Sequence, residues 1–262
     1  MNDSATNGTK RPGTPGENDV YVSHEVWDAP TRVLHWLNAA LFLAVAALGF
    51  LFMYRELLHV EGRPAKIAFK YVHSALGLCL LATFTARVVW GFFGNRFARF
   101  SSLLIRRDTL PAAHRELQEL RSPGGGPRRL GHGPLGRLSA TAMFAVLCIS
   151  LSTGLLRANT DLYFPPFGRS IAAHIAKPGV DPSTVDPVDR SWMDPSKGGT
   201  IGFVGNIAGT LHRVSAWTLV ALAALHVGGL VFKELRQGGG VFSSMIVGRK
   251  TFRVSDPFTQ ED

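Results

Sequence analysis

Four long apolar runs separated by polar segments dominate the pattern of the chain. Each run has about 20 residues with few or no charged side chains, the length that an α-helix needs to cross the hydrocarbon core of a membrane. The runs lie at roughly residues 33–54, 71–93, 138–156 and 214–232. With their polar ends included, they predict helices over about residues 31–54, 68–93, 135–157 and 203–234. The predicted fold is therefore all-α, an integral membrane four-helix bundle.

The segments before and after the apolar runs are polar. Residues 1–20 are rich in Gly, Pro and small polar side chains, a composition typical of a disordered tail. Residues 252–262 form a second tail, and the sequence has no further readable pattern after Lys233. The membrane domain is therefore predicted to be residues 21–251.

Two longer connections are predicted to lie outside the hydrocarbon layer. In residues 95–137, an apolar stripe with helical spacing predicts a short amphipathic helix on the membrane surface. The stripe consists of Leu110, Ala113, Leu117 and Leu120. Residues 157–201 are too polar to span, and a connection of this length is usually functional or disordered. We expect a docking surface or a lid there.

Histidines recur at matching places in the apolar runs. His212 and His226 lie 14 positions apart in the last run, close to four whole helical turns, so both side chains leave the same helix face. The rise between them is about 21 Å, which places one histidine near each edge of the membrane. His35 opens the first run and His73 opens the second.

These histidines form two pairs if consecutive helices cross the membrane in alternate directions. His35 then lies level with His226, and His73 lies level with His212. A bilayer tolerates few ionisable groups, so histidines within it indicate a functional site. Two facing imidazoles at one depth of a four-helix bundle are typical of a haem iron ligated by two histidines. Because the chain has no CxxCH motif for covalent attachment, the prediction is two non-covalent haem b groups.

Cations accompany the histidines. Arg32 lies three positions before His35 and Lys70 lies three positions before His73, so each cation shares a helix face with its histidine. Each is predicted either to reach a haem propionate or to extend toward water at a helix end. Arg87, near the end of the second helix, has the same two alternatives.

Four further residues have less specific predictions. His132 is expected on the surface, in the turn before the third helix, and His174 in residues 157–201 is an alternative metal ligand. Cys79 and Cys148 lie within apolar runs and are expected to be small core residues.

Charge predicts how the bundle is oriented. The chain has 28 Lys and Arg against 19 Asp and Glu, a net charge of +9. Seventeen of the basic residues lie in the two terminal segments and residues 95–137, against nine in the connections on the other side of the predicted membrane. By the positive-inside rule, this split predicts a multi-pass bacterial inner-membrane protein with both termini in the cytoplasm. The basic excess is thus an orientation signal, and the expected surroundings are membrane lipid, not nucleic acid.

Several motifs together resemble those of a known family. They are VWDAPTRVLHW, YVHSALG, GNRFARF, LGHGPLG and HRVSAWTLVALAALHVGG, the last followed by MIVGRK. Over roughly residues 21–251, the pattern resembles the bacterial cytochrome b561 family, which overlaps the b-type cytochrome subunits of nickel–iron hydrogenases. The resemblance implies a four-helix protein with two haems that exchanges electrons with ubiquinone or menaquinone. It carries the ligand roles onto His35, His73, His212 and His226.

Three functional hypotheses follow from these observations. The first is a cytochrome that transfers electrons across the membrane, between the quinone pool and a protein such as a c-type cytochrome or a dehydrogenase. The alternative is a haem-bearing anchor subunit of a hydrogenase or dehydrogenase complex, although the extra helix usual in hydrogenase subunits is not found. The third is a haem-free transporter or proton relay, which the paired histidine depths disfavour. Whether the chain is an enzyme depends on whether it oxidises quinol itself, and the sequence leaves open whether two copies form a homodimer.

Overall fold

The computed structural model describes residues 21–57, 59, 62–122, 125–187, 189–238, 240–253 and 258–259. It confirms the all-α membrane fold, because four of the described helices are long and apolar enough to cross a membrane. The predicted tail at residues 1–20 and most of the tail at residues 252–262 lie outside the described residues. In chain order the elements are β1 (Tyr21–Glu25), α1 (Ala29–Met53), α2 (Arg63–Phe93), α3 (Phe100–Leu103), α4 (Thr109–Arg121), β2 (Arg128–Arg129), α5 (Pro134–Asp161), α6 (Gly168–Ile175), α7 (Pro195–Gln237), α8 (Ser244–Val247), β3 (Arg249–Arg253) and β4 (Phe258–Thr259).

The spanning helices are α1, α2, α5 and α7. Capping side chains and prolines mark where these helices start. The Asp28 side chain caps α1 by accepting a hydrogen bond from the Thr31 amide at 2.9 Å. The Asp194 side chain caps α7 by accepting one from the Ser196 amide, also at 2.9 Å. All four helices have a proline in the first turn, where its missing N–H removes no helical hydrogen bond.

Three of the spanning helices extend several residues beyond their predicted bounds. α2 begins at Arg63 rather than near residue 68, α5 ends at Asp161 rather than near residue 157, and α7 runs from Pro195 to Gln237 rather than over 203–234. The 43 residues of α7 rise about 65 Å, against about 30 Å of hydrocarbon. Parts of α7 therefore stand outside the membrane. Hydropathy marks only the part of a helix that lies within the bilayer, and so the predicted helices were too short.

Alternate crossing gives the bundle two ends, which we name the termini face and the loop face. The termini face carries β1, α3, α4, α8 and β3, and the loop face carries α6. His35 and His226 lie toward the termini face, whereas His73 and His212 lie toward the loop face.

A cap closes the termini face and joins the two ends of the described chain. β1 pairs antiparallel with β3, with Tyr21 opposite Arg253 and Glu25 opposite Arg249. A buried apolar cluster supports the two strands, and together they form what we name the terminal cap. The cluster consists of Val26, Trp27, Phe97, Leu130 and Phe252. The sequence has no readable pattern after Lys233 because β3 takes its hydrogen-bond partners from the opposite end of the chain.

The predicted amphipathic helix forms as α4, and half of its apolar stripe packs on the bundle, while Leu110 is 67% exposed. Ala113 and Leu120 are buried in the protein. Between them lies Glu116, whose side chain is only 3% exposed and accepts hydrogen bonds from Lys233 Nζ of α7 and from the Leu135 amide of α5, each at 2.8 Å. In the sequence, an apolar stripe cannot show whether a helix face contacts protein or lipid. The buried and paired carboxylate of Glu116 indicates that this face of α4 contacts the bundle.

The connection at residues 157–201 is largely structured. α5 extends into it from one end and α7 from the other, with α6 between them. A second buried cluster holds this region together, formed by Tyr163, Ala172, Ile175, Trp192 and Met193. A docking or lid function for the region remains a prediction.

Candidate functional site

The structure brings two histidine rings together near the loop face. The ring centres of His73 on α2 and His212 on α7 are 6.1 Å apart, and the ring planes cross at 88°. Nδ1 of His212 lies 2.9 Å from the Ser150 carbonyl of α5. A carbonyl can only accept, so Nδ1 carries the proton and Nε2 keeps its lone pair for a metal.

Glycines provide the room for these rings. A Cβ added at Gly154 of α5 would lie 2.9 Å from Cε1 of His212, and one added at Gly49 of α1 would lie 3.6 Å from Cε1 of His73. The Gly154 contact is closer than real Cβ atoms tolerate, so a larger residue there would displace the His212 ring. Both glycines lie in apolar runs, where the sequence alone did not mark them as site residues.

A cavity of about 980 Å³ opens beside this pair, at the upper end of the size range of ligand pockets. α1, α2, α5 and α7 all contribute to its wall, which is mainly apolar and includes both histidines. Six charged residues also line it: Arg55, Lys66, Lys70, Arg157, Asp161 and Arg213. An apolar interior with a mostly cationic set of charged residues suits a flat apolar ligand that carries acidic groups.

The two-histidine arrangement fits a metal whose remaining ligands come from a cofactor. Among the residues that the structure describes, no three His, Cys, Asp or Glu side chains gather to hold a metal ion. In haem, the porphyrin nitrogens supply the missing ligands. An iron about 2 Å from each axial nitrogen, with about 1 Å more to each ring centre, would separate the ring centres by about 6 Å. The 6.1 Å between His73 and His212 fits this spacing.

The other two histidines, His35 and His226, lie near the termini face. His35 of α1 interacts electrostatically with His226 of α7 and with Arg87 of α2. Ser139 Oγ of α5 lies 3.4 Å from Nδ1 of His226. Nδ1 of His35 is buried and has no hydrogen-bond partner among the described residues.

The two predicted cations have different surroundings. Lys70 lines the cavity and forms an ion pair with the Asp161 carboxylate, which also lies 3.4 Å from Arg157 Nη2. Arg32 instead reaches α8, where its Nη1 donates to the Ile246 carbonyl. Lys70 therefore lies where a propionate of the loop-face site could reach it, while Arg32 also fastens α8 to the start of α1.

The expectation that His132 lies on the surface is only partly met, because the residue is half-buried and its ring turns inward. Its ring packs edge-on against Trp27 with 4.7 Å between ring centres, and its Nδ1 is buried. Burial lowers the pKa of His132 to about 3. The turn folds inward because Gly131, which precedes His132, lets Phe97 approach to within 2.9 Å of where a Cβ would stand. The LGHGPLG motif held this signal, since glycines on both sides of a histidine permit close packing.

His174 and the two cysteines do not take part in a pair. His174 is exposed on α6 and does not line the cavity, so the structure gives no support to it as an alternative ligand. Cys79 and Cys148 are both exposed on spanning helices, and the expectation that they are core residues is wrong. In a membrane protein the outward face is apolar too, because it meets lipid, so hydropathy does not separate that face from the core.

Comparison with known proteins agrees with this architecture. The family model described as prokaryotic cytochrome b561 matches residues 26–248. A probable Ni/Fe-hydrogenase B-type cytochrome subunit of Rhodobacter capsulatus is 26% identical, over 87% of this chain and 81% of that protein. A protein of the same name from Azotobacter vinelandii is also 26% identical, over 88% and 90%. The probable Ni/Fe-hydrogenase 1 B-type cytochrome subunit of Escherichia coli K12 is 22% identical, over 90% and 94%.

No solved structure matches the chain. The family match covers far more than half of the sequence and includes all four spanning helices and all four paired histidines. The names of the relatives correspond to the alternative hypothesis, and they also fit the first, since both are membrane cytochromes. The protein therefore belongs to the prokaryotic cytochrome b561 family and is an inner-membrane electron-transfer protein that uses haem b.

Proposed function

We propose that the protein carries two haem b groups and transfers electrons between the two faces of the membrane. His73 and His212 hold the loop-face haem, and His35 and His226 hold the termini-face haem. Each haem supplies a reversible one-electron couple. The observation that carries the proposal is the 6.1 Å separation of the His73 and His212 rings beside a cavity of about 980 Å³.

The four-histidine assignment and the number of haems are tested together. A pyridine haemochrome assay should give two haems per chain. In redox titrations, His73→Ala and His212→Ala should remove one component, and His35→Ala and His226→Ala should remove the other. A single haem per chain would contradict the proposal. So would loss of the same component in His35→Ala and His212→Ala, because these residues lie near opposite faces.

Lys70 and Arg32 are proposed to bind propionates, one at each site. Lys70 is supported by its place in the cavity wall, where the ion pair with Asp161 holds its ammonium group. Arg32 is supported by its Nε, which is buried and has no hydrogen-bond partner among the described residues. Lys70→Met should lower the midpoint potential of the loop-face haem alone, because it removes a positive charge that favours the reduced iron.

We place the termini face in the cytoplasm and the loop face outside it. The 17-to-9 split of Lys and Arg supports this orientation. The test uses a variant without Cys79 and Cys148, with a single cysteine at Ser183 or Ser122, two exposed positions on opposite faces. A membrane-impermeant thiol reagent should label the Ser183 cysteine in intact cells and not the Ser122 cysteine. The opposite result would invert the orientation.

A membrane-bound dehydrogenase is the proposed protein partner, and ubiquinone or menaquinone the proposed small-molecule partner. The names of the relatives support this, since they are probable subunits of Ni/Fe hydrogenases. On this proposal the protein is both an electron carrier and an anchor subunit. Mass spectrometry of complexes purified from mild detergent should identify a dehydrogenase rather than a c-type cytochrome, and native mass would reveal a homodimer. Quinol oxidation by the isolated chain would make it an enzyme.

A further inference from the structure

Besides Nδ1 of His35 and Nε of Arg32, two further buried nitrogen atoms near the His35–His226 pair have no hydrogen-bond partner among the described residues. They are Nη1 of Arg87 and Nδ1 of His132. Arg87 is only 7% exposed although it carries a full charge. Neither residue ligates a haem in the proposed function.

The Arg87 guanidinium is held in place on one side and left unpaired on the other. Nη2 donates to the Ala98 carbonyl at 3.2 Å, and the guanidinium carbon lies 5.5 Å from the centre of the Phe144 ring. Asp28 interacts with Arg87 electrostatically, but its carboxylate already accepts hydrogen bonds from the Trp90 indole and the Asn95 amide. Nη1 is therefore free for a further acceptor.

His132 lies at the same end of the bundle as this pair. It comes just before α5, whose Ser139 Oγ lies 3.4 Å from Nδ1 of His226. Thr83 Oγ1 of α2 donates to Asn38 Oδ1 of α1 at 3.0 Å, which sets Arg87, one turn further along α2, level with His35. Electrostatic interactions of Arg87 with His35 and of His132 with His226 agree with this placement. A neutral imidazole offers one N–H donor and one acceptor, and we assign the N–H to Nδ1, the buried nitrogen that has no partner among the described residues. The two unpaired nitrogens and the two paired histidines thus belong to one site.

Burying a polar group without a partner is unfavourable, and burying an unpaired charge is much more so. Two such groups at one site indicate a ligand that supplies an acceptor and a negative charge. A carboxylate does both: it only accepts hydrogen bonds, and those that it accepts from a guanidinium are among the strongest in proteins.

We propose that Arg87 and His132 bind a propionate carboxylate of the haem held by His35 and His226, and that Arg87 raises the midpoint potential of that haem. The inference rests on the proposed function, since it requires a haem at this pair. A positive charge beside the site favours the reduced iron, and removal of Arg87 would also leave the propionate uncompensated. Both effects lower the potential.

The test is a redox titration of the complete protein with both haems. Arg87→Gln should lower the midpoint potential of the component that His35→Ala removes and leave the other component unchanged. Arg87→Lys should restore most of the shift because it keeps the charge. Arg99→Gln is the matched control: it removes an exposed cation that donates to the Gly94 carbonyl at 2.9 Å, and it should shift neither component.

A second test addresses the N–H group that His132 is proposed to donate to the propionate. His132→Gln keeps an N–H and should retain the infrared band of the bound propionate in redox difference spectra, whereas His132→Leu should shift that band. If Arg87→Gln does not bind haem at this pair, the propionate band is measured in Arg87→Lys instead. A shifted band supports the inference, and an unshifted band contradicts it. An unchanged termini-face potential in Arg87→Gln, or an equal shift of both components, would overturn the inference. Wild-type protein with only one haem would instead refute the proposed function.

Discussion

At the scale of single residues, the packing around a ligand matters as much as the ligand. His212 has its Nδ1 fixed by the Ser150 carbonyl and one side of its ring covered by Gly154. The carbonyl sets the proton position and the glycine sets the ring position, so the metal-binding nitrogen is presented with little freedom.

Gly154→Ala tests this packing. The new Cβ would stand 2.9 Å from Cε1 of His212 and force the ring to move. Overpacking of this kind costs about 1–3 kcal/mol, which corresponds to a roughly 5- to 150-fold loss of haem affinity at the loop-face site. Titration of the apoprotein with haem would measure it. Gly228→Ala, on α7 with nothing within 4 Å of the added Cβ, should behave as wild type. Equal affinities in the two variants would refute the packing argument.

The ring orientation makes a spectroscopic prediction. The His73 and His212 planes cross at 88°. Perpendicular axial imidazoles leave two iron d orbitals nearly equal in energy, so the oxidised low-spin haem should show a highly anisotropic electron paramagnetic resonance signal. This signal should disappear in His212→Ala and persist in His226→Ala. A rhombic signal typical of parallel rings, if lost in His212→Ala, would contradict the observed orientation.

At the scale of elements, one carboxylate joins three helices. Glu116 of α4 accepts hydrogen bonds from Lys233 of α7 and from the first turn of α5. Glu116→Gln would leave Lys233 without its charge partner. We expect a loss of about 2–3 kcal/mol in stability, less than for a fully buried pair because the Lys233 side chain is 19% exposed. Thermal unfolding in detergent would measure it, with Glu119→Gln, whose side chain is 40% exposed, as the control with little effect.

The strand β3 makes the terminal cap sensitive to pH. Lys250 is 5% exposed, its Nζ donates to the Arg129 carbonyl at 3.0 Å, and burial lowers its pKa to about 7 from 10.5. Between these values the unfolded cap binds a proton that the folded cap does not, so stability should rise with pH in this window and be lowest below pH 7. Hydrogen-exchange protection factors of residues 249–253, corrected for intrinsic rates, should increase from pH 7 to about pH 9. Lys250→Met should abolish the increase, and an increase that survives in this variant would contradict the role of Lys250.

At the scale of the whole molecule, the sequence predicted what depends on local pattern. The spanning helices follow from the long apolar runs. The 14-residue spacing of His212 and His226 led to the prediction that His73 and His212 face each other, which the structure shows. The ligand roles of the histidines remain predictions. Features that depend on distant contacts could not be predicted. The inward packing of His132 needs Trp27, more than 100 positions earlier, and the outward position of Cys79 and Cys148 depends on which helices pack together.

Because α7 contributes a histidine to each pair, its register can be tested across the whole bundle. Insertion of one Ala between Ala221 and Leu222 rotates His226 by about 100° relative to His212. The variant should lose the termini-face haem and keep the loop-face haem, as measured by redox titration. An Ala inserted after Gly199, before both histidines, should leave both components in place. Retention of both haems by the first variant would refute the assignment.

The length and continuity of α7 have a consequence for the rate of electron transfer. On the proposed assignment, both irons are bound by histidines of one unbroken helix. The distance over which an electron tunnels between the irons is therefore set by the geometry of α7 and not by a docking interface. A partner that binds either face can change the driving force through the local potential, but it cannot shorten the path. Any control of flux by assembly must then be thermodynamic, exerted through the potentials of the two sites.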